Sequence, residues 1–176
     1  MVTRSKAHSY LLKSAFAAAF AWFTAALPAQ VVPGNPFPSL AAAGLTGGTL
    51  PDTAGKVVFV DFWASWCAPC KASFPAYSQL QTAYAARGLA IVAVSVDDDP
   101  ANYAAFVAKY KPAFATLNDA GHKLVSVVQV PTMPTCYLID RSGKVRFMHA
   151  GFHGGETERA LRAEIETLLN EGVPSP

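Results

Sequence analysis

The chain has 176 residues, 52% hydrophobic and 15% charged, enough apolar material for one compact core and one globular domain. Its formal charge of +2 includes Arg4, Lys6 and Lys13, in a front segment that has no acid; beyond it stand eleven basic and twelve acidic residues. Nothing in that balance suggests a surface for nucleic acid.

In chain order, the basic start is followed by "SAFAAAFAWFTAAL", Ser14 to Leu27, and then by Pro28. This is the layout of a secretory signal peptide over residues 1–29, with cleavage expected near Ala29. The apolar run is short against the roughly 20 residues of a bilayer span, so an uncleaved membrane anchor is the weaker alternative. No cysteine stands directly behind the run, which argues against a lipoprotein anchor. Residues 30–44, rich in Pro, Gly and Ala with little periodicity, read as a flexible linker, and a short hairpin is expected around Gly47 and Gly48. The globular domain is expected over residues 45–172.

"VVFVDFW" from Val57 is a continuous apolar run broken only by Asp61, the pattern of a strand buried on both faces. After it, Phe74, Tyr77, Leu80 and Tyr84 recur at helical spacing, and Gly88 ends that helix. "LAIVAVSV", Leu89 to Val96, is a second buried strand. Asp99 and Pro100 form a helix start, with Tyr103, Phe106, Val107 and Tyr110 on one stripe. Strand, helix, strand, helix implies parallel crossovers. The segment from Lys111 to Val130 reads as a short insert, with an extended piece at "AFATLND" and a helix near "GHKLVSVV". "TCYLID" and "KVRFMHA" then form an antiparallel hairpin around Arg141, Ser142 and Gly143. A last helix turns Leu161, Ile165, Leu168 and Leu169 inward and stops at Gly172 and Pro174. The fold class is α/β: a central mixed sheet, parallel βαβ then antiparallel ββα, with helices on both faces.

The cysteines carry the chemistry. Cys67 and Cys70 form a CxxC pair, and Cys136 is left over. As a structural staple the pair closes too short a loop to stabilise much. As a zinc site it lacks a second CxxC or a histidine pair; His149 and His153 straddle Gly151, where their spacing makes no shared face. The redox reading has positive support. Cys67 falls between a buried strand and the start of a helix, where free backbone N–H groups and the helix dipole favour a thiolate. It is the expected attacker. Cys70, one turn into the helix, is placed to attack the mixed disulfide, and Pro69 sits where its missing N–H costs little.

Three stretches, "GKVVFVDFWASWCAPC", "IVAVSVD" and "VPTMPTCYLIDRSGKV", resemble the exported thiol-disulfide oxidoreductases of the TlpA/ResA type, which have the thioredoxin fold; the likeness spans about Gly55 to Glu171. The resemblance implies that Pro134 is a cis-proline beside the active cysteines, that Met133 and Pro134 offer backbone to an extended substrate, and that the proline ring keeps metal off the thiols. It places Asp61, six residues before Cys67, at the position of a buried acid that takes the proton of the second cysteine. A carboxylate beneath an apolar strand has a raised pKa suited to that exchange. Many ResA-like members carry a glutamate three residues after the second cysteine; Ser73 stands there. Trp66 is expected to flank the substrate groove and Trp63 to support the core. Cys136 reads as a small buried hydrophobe, and His149 as structural.

The resemblance implies an exported, periplasmic monomer that reduces disulfides of client proteins and is recharged by a membrane electron donor of the DsbD or CcdA kind. Candidate clients are apocytochrome c and the copper-site thiols of oxidase assembly proteins. No metal, cofactor or nucleic acid is expected. The rivals are a disulfide oxidase or isomerase on the same fold, a peroxiredoxin-like peroxidase, for which no PxxxTxxC surrounds Cys67, and a copper-binding chaperone of the Sco type, in which His149 or His153 would have to serve.

Overall fold

The structure is a computed structural model that describes residues 30–172; the expected signal peptide and Pro174 lie outside the described residues. In chain order the elements are β1 (Val57–Trp63), α1 (Ala68–Tyr84), a 3-10 turn (Ala85–Arg87), β2 (Leu89–Ser95), α2 (Pro100–Tyr110), β3 (Ala115–Asn118), α3 (Lys123–Val128), β4 (Thr135–Ile139), β5 (Val145–Ala150) and α4 (Gly155–Asn170). Among the described residues no helix is long and apolar enough to cross a membrane.

The strands make one sheet in the order β3-β2-β1-β4-β5. β1 runs parallel to β2, and β2 to β3, whereas β4 is antiparallel to both β1 and β5. The expected mixed sheet is therefore present, and "AFATLND" supplies its third parallel strand at one edge. The central position of β1 explains its unbroken apolar run, because every residue from Val57 to Trp63 is buried.

Alternation along β1 divides the core into two layers. Phe59 and Trp63 face α1, α2 and α4, where they meet Phe74, Tyr77, Leu80, Phe106, Leu161 and Ile165. Val58, Val60 and Phe62 face the other side, with Val92, Val94, Leu117, Tyr137 and Leu124 and Val128 of α3. The first layer is aromatic-rich: the Trp63 ring centroid lies 4.4 Å from that of Phe106 and 4.9 Å from that of Phe74, geometry that adds to area burial.

Residues 30–44 correct the linker expectation. Val31 is buried against the second layer, and Phe37, Leu40 and Ala43 pack on it. Backbone bonds tie the strap down: Val31 N–H to Val128 O (3.1 Å), Gly34 N–H to Val145 O (2.8 Å) and Phe37 N–H to Gly143 O (2.9 Å). The cause is area: α3 has six residues, too few to cover the sheet face, and the strap buries what remains. The hairpin expected at Gly47 and Gly48 is also absent. Thr46 instead bridges to Asn118 of β3, and the glycines let the chain pass close to Thr116 and Tyr103, where a Cβ on Gly48 would come within 2.2 Å of the Thr116 carbonyl oxygen.

Helix ends follow their residues. Asp99 accepts a hydrogen bond from Ala101 N–H at 2.8 Å, starting α2 as expected. Arg141, in the β4–β5 turn, donates to the carbonyls of Leu168 (2.8 Å), Leu169 (3.3 Å) and Glu171 (2.9 Å). It thereby satisfies groups that the end of α4 leaves open.

Candidate active site

β1 ends at Trp63, and the next four residues turn into α1. Cys67 is the N-cap, in extended conformation (φ −77°, ψ 109°), and its Sγ accepts from Cys70 N–H at 3.2 Å. A sulfur in that position takes the place of the usual capping oxygen, so the donors that open the helix are aimed at it. Cys67 and Cys70 are joined in a disulfide, with their Cα atoms 5.3 Å apart. Cys67 keeps 5% of its surface exposed and Cys70 none; the opening to Cys67 is narrow. Beside it Trp66 is 68% exposed, a large apolar side chain held in solvent at the mouth of the site.

The turn that delivers Cys67 is clamped by Asp97, a residue that sequence reasoning missed. Asp97 follows β2 and is buried. Its carboxylate accepts from Ser65 N–H (3.1 Å), Ser65 Oγ (2.7 Å) and Ser95 Oγ (2.7 Å), while Cys67 N–H bonds to Ala64 O at 3.0 Å. The signal was present in "SVDDDP": an acid just past the end of a strand that runs parallel to the one bearing the CxxC pair, hence at the same end of the sheet.

The Met133–Pro134 peptide bond is cis. Pro134 is buried and Met133 half-buried against the first core layer. Pro134 has no N–H, and its carbonyl accepts from Gly151 N–H at 2.7 Å. Of the two residues expected to present backbone to a substrate, Met133 is thus the one with groups to offer.

Asp61 is fully buried, and neither carboxyl oxygen has a hydrogen-bond partner. Burial pushes its pKa well above the usual carboxylate range. It stands opposite Cys136 in the β1–β4 ladder. The Cys136 thiol is buried, unpaired with any other cysteine, and lies against the Tyr77 hydroxyl; its pKa is raised, first by burial and then by Asp61. Burial and then Asp61 likewise raise Tyr77. Ser73 donates its hydroxyl to the Cys70 carbonyl at 3.0 Å, serving the helix backbone at the position where the resemblance offered a glutamate. Trp63, expected as core support, is buried in the aromatic layer with its indole N–H unpartnered. His149 bonds through Nε2 to Glu164 at 2.7 Å, and the His153 backbone N–H bonds to Thr157 Oγ1. Among the described residues no group of three His, Cys, Asp or Glu is placed to hold a metal ion.

Residues 33–148 match the model of the AhpC/TSA family. A thiol-disulfide oxidoreductase ResA of Bacillus cereus is 36% identical over 96 residues, covering 54% of this chain and 56% of that one. The ResA of Geobacillus thermodenitrificans is 32% identical over 119 residues, 68% of this chain and 67% of the relative. The chain thus spans little more than half the length of the Bacillus relatives it matches. Among solved structures, one from Chlorobium tepidum described as a thiol:disulfide interchange protein DsbE superposes with a TM-score of 0.73 at 35% identity, covering 80% of this chain and 99% of that one. A secreted Mycobacterium tuberculosis disulfide oxidoreductase homologous to E. coli DsbE superposes with a TM-score of 0.58 at 25% identity, covering 66% and 84%.

Proposed function

The chain belongs to the AhpC/TSA family and has the thioredoxin-like fold, and from that membership we propose that it is an exported thiol-disulfide oxidoreductase that reduces disulfides in extracytoplasmic proteins. The observation that carries the reading is the Cys67–Cys70 disulfide at the start of α1, with Cys67 Sγ as the helix cap. A thiolate there is stabilised by the same donors that hold the capping sulfur.

In the reduced protein, the Cys67 thiolate attacks one sulfur of a client disulfide and the other client sulfur leaves as a thiolate. Cys70 gives its proton to Asp61 and attacks Cys67 Sγ. The client's second thiolate departs, and the Cys67–Cys70 disulfide is formed. Two electrons pass to the client, whose two sulfurs end as thiols after protonation. Trp66 and the Met133 backbone flank the attacked disulfide. A membrane donor of the DsbD or CcdA kind returns the electrons, and the protein works as a monomer. The basic and then apolar layout of residues 1–29 supports export to the periplasm. Thiols of apocytochrome c or of oxidase copper sites are the client class.

Insulin reduction and a redox titration test this. Cys67→Ser is expected to abolish reduction, and Cys70→Ser to accumulate mixed disulfides through Cys67. Trapping through Cys70 instead would reverse the roles. A reduction potential below about −200 mV fits a reductant, whereas one near about −120 mV would make the protein an oxidase.

A further inference from the structure

Cys67 enters α1 from the turn Ala64 to Cys67, which is closed by a single bond of its own, Cys67 N–H to Ala64 O at 3.0 Å, the i to i+3 bond of a β-turn. Of the two central residues, Trp66 lies mostly in solvent. Ser65 gives both its donors to Asp97: its N–H lies 3.1 Å from each carboxylate oxygen, and its hydroxyl 2.7 Å from Oδ1. Asp97 is fixed in turn by Ser95, whose hydroxyl donates to Oδ2 at 2.7 Å and accepts from Asp97 N–H at 3.0 Å. Ser95 and Asp97 are both buried, so the turn is tied through one carboxylate to the end of β2.

The charged groups nearby are engaged elsewhere. Asp99 caps α2 through Ala101 N–H, and Asp119 accepts from Lys123 and Val125 N–H at the start of α3. Asp98 faces His122 Nε2 at 3.2 Å, and that nitrogen also lies 3.0 Å from Val96 O. On α1, Lys71 meets Cys67 through its backbone, N–H to Cys67 O at 3.3 Å. The Cys67–Cys70 bond masks the need for the tie to Asp97, because in the oxidised protein the covalent link itself keeps Cys67 Sγ at the helix start. Reduction removes that link. The extended cap conformation of Cys67, with Sγ against Cys70 N–H, is then held by the turn behind it.

We propose that Asp97 is a positioning residue for thiol exchange: through Ser65 it holds the Ala64–Cys67 turn of the reduced protein, and so keeps the Cys67 thiolate at the N-terminus of α1. The inference rests on Cys67 as the attacking thiol. Asp97 acts through serines and transfers neither proton nor electron. The sign of its effect separates position from charge. A carboxylate acting by its charge disfavours a nearby thiolate, so its removal would make the thiolate form at lower pH. Loss of position does the opposite, because a sulfur displaced from the helix N-terminus loses the donors and the dipole that stabilise its charge.

The test needs no client. In the reduced protein, alkylation of Cys67 by iodoacetamide is timed by mass spectrometry of its peptide across a pH series, and the midpoint of the rate profile is that of the thiolate. Asp97→Ala is expected to raise the midpoint by about half to one pH unit, read below it as alkylation roughly three- to tenfold slower. Ser65→Ala removes the 2.7 Å bond without changing the charge. It is expected to move the midpoint the same way by less, and it decides the matter if Asp97→Ala does not fold. A purely structural role would change the unfolding of the oxidised variants and leave the midpoint in place. An unchanged midpoint in whichever variants fold, or a lowered one in Asp97→Ala, would overturn the proposal. Failure of insulin reduction by the wild type would overturn the reductase reading and leave this measurement intact.

Discussion

Replacing Asp61 by Asn should make the protein more stable as pH rises, by an amount that grows over a defined window. In the unfolded chain the carboxyl titrates near pH ~3.9. In the folded protein, full burial without a hydrogen-bond partner moves the titration well above that value. Below the unfolded pKa both states hold the proton, and Asp61 contributes no pH dependence. Above it the unfolded chain loses a proton that the folded protein keeps, so folding becomes less favourable with increasing pH. The loss is ~1.4 kcal/mol for each pH unit, and it levels off once pH passes the folded titration. One unit is already large against a total stability of about 5–15 kcal/mol. Asn keeps the size of the side chain and removes the titration; its unpaired amide costs a constant amount. Urea unfolding of oxidised wild type and Asp61→Asn, from about pH 4 to about pH 8, isolates the term as the difference between two curves. A difference that stays constant over the series would mean that Asp61 does not hold its proton on folding, and the argument from burial would be refuted.

Asp97→Ala should cost about 2–3 kcal/mol, because it strands the Ser65 and Ser95 donors; the same urea unfolding at neutral pH reads it, and a loss below about 0.5 kcal/mol would show that the clamp is idle. Trp66→Ala should leave stability within about 0.5 kcal/mol, given its exposure, and slow reduction of a protein disulfide more than that of a small aromatic disulfide; equal slowing would remove Trp66 from the client surface. Gly48→Ala should destabilise by about 1–3 kcal/mol, because the added methyl meets the Thr116 carbonyl, and a thermal melt unchanged from wild type would show that the backbone around Gly48 shifts freely.

Elements whose burial follows a regular period were legible in the sequence. Phe74, Tyr77, Leu80 and Tyr84 are all buried on α1, and the apolar run of β1 is buried on both faces because the strand is central. The caps were legible as well, since Asp99 and the CxxC stretch stand where a strand-to-helix turn must place them. The strap at residues 30–44 was not. Val31, Phe37 and Leu40 have no helical or strand spacing, and they pack because α3 is short, a fact about the rest of the fold. Asp97 was missed, because of the three acids at 97–99 only Asp99 carries a signal in its own neighbourhood, the Pro100 that follows it. In the structure they divide: Asp97 turns inward to Ser65, Asp98 is exposed and Asp99 caps α2.

Asp61 and Asp97 together test whether burial alone decides what an acid does in this protein. Both are essentially excluded from solvent, on or just past neighbouring parallel strands. Trp63 stands level with Ser95, so Asp97 lies four residues beyond the level of Asp61, about 13 Å along the sheet. Asp97 meets three donors on two serines, whereas Asp61 meets none. Hydrogen bonding stabilises a buried carboxylate, and an unpartnered one is costly. Removing Asp97 should therefore lower stability at neutral pH, and removing Asp61 should raise it. Opposite signs from two equally buried aspartates would follow from their partners alone. If both variants lose stability, Asp61 has a partner in solution that its surroundings do not reveal, and a carboxylate so held could not serve as the acceptor of the Cys70 proton.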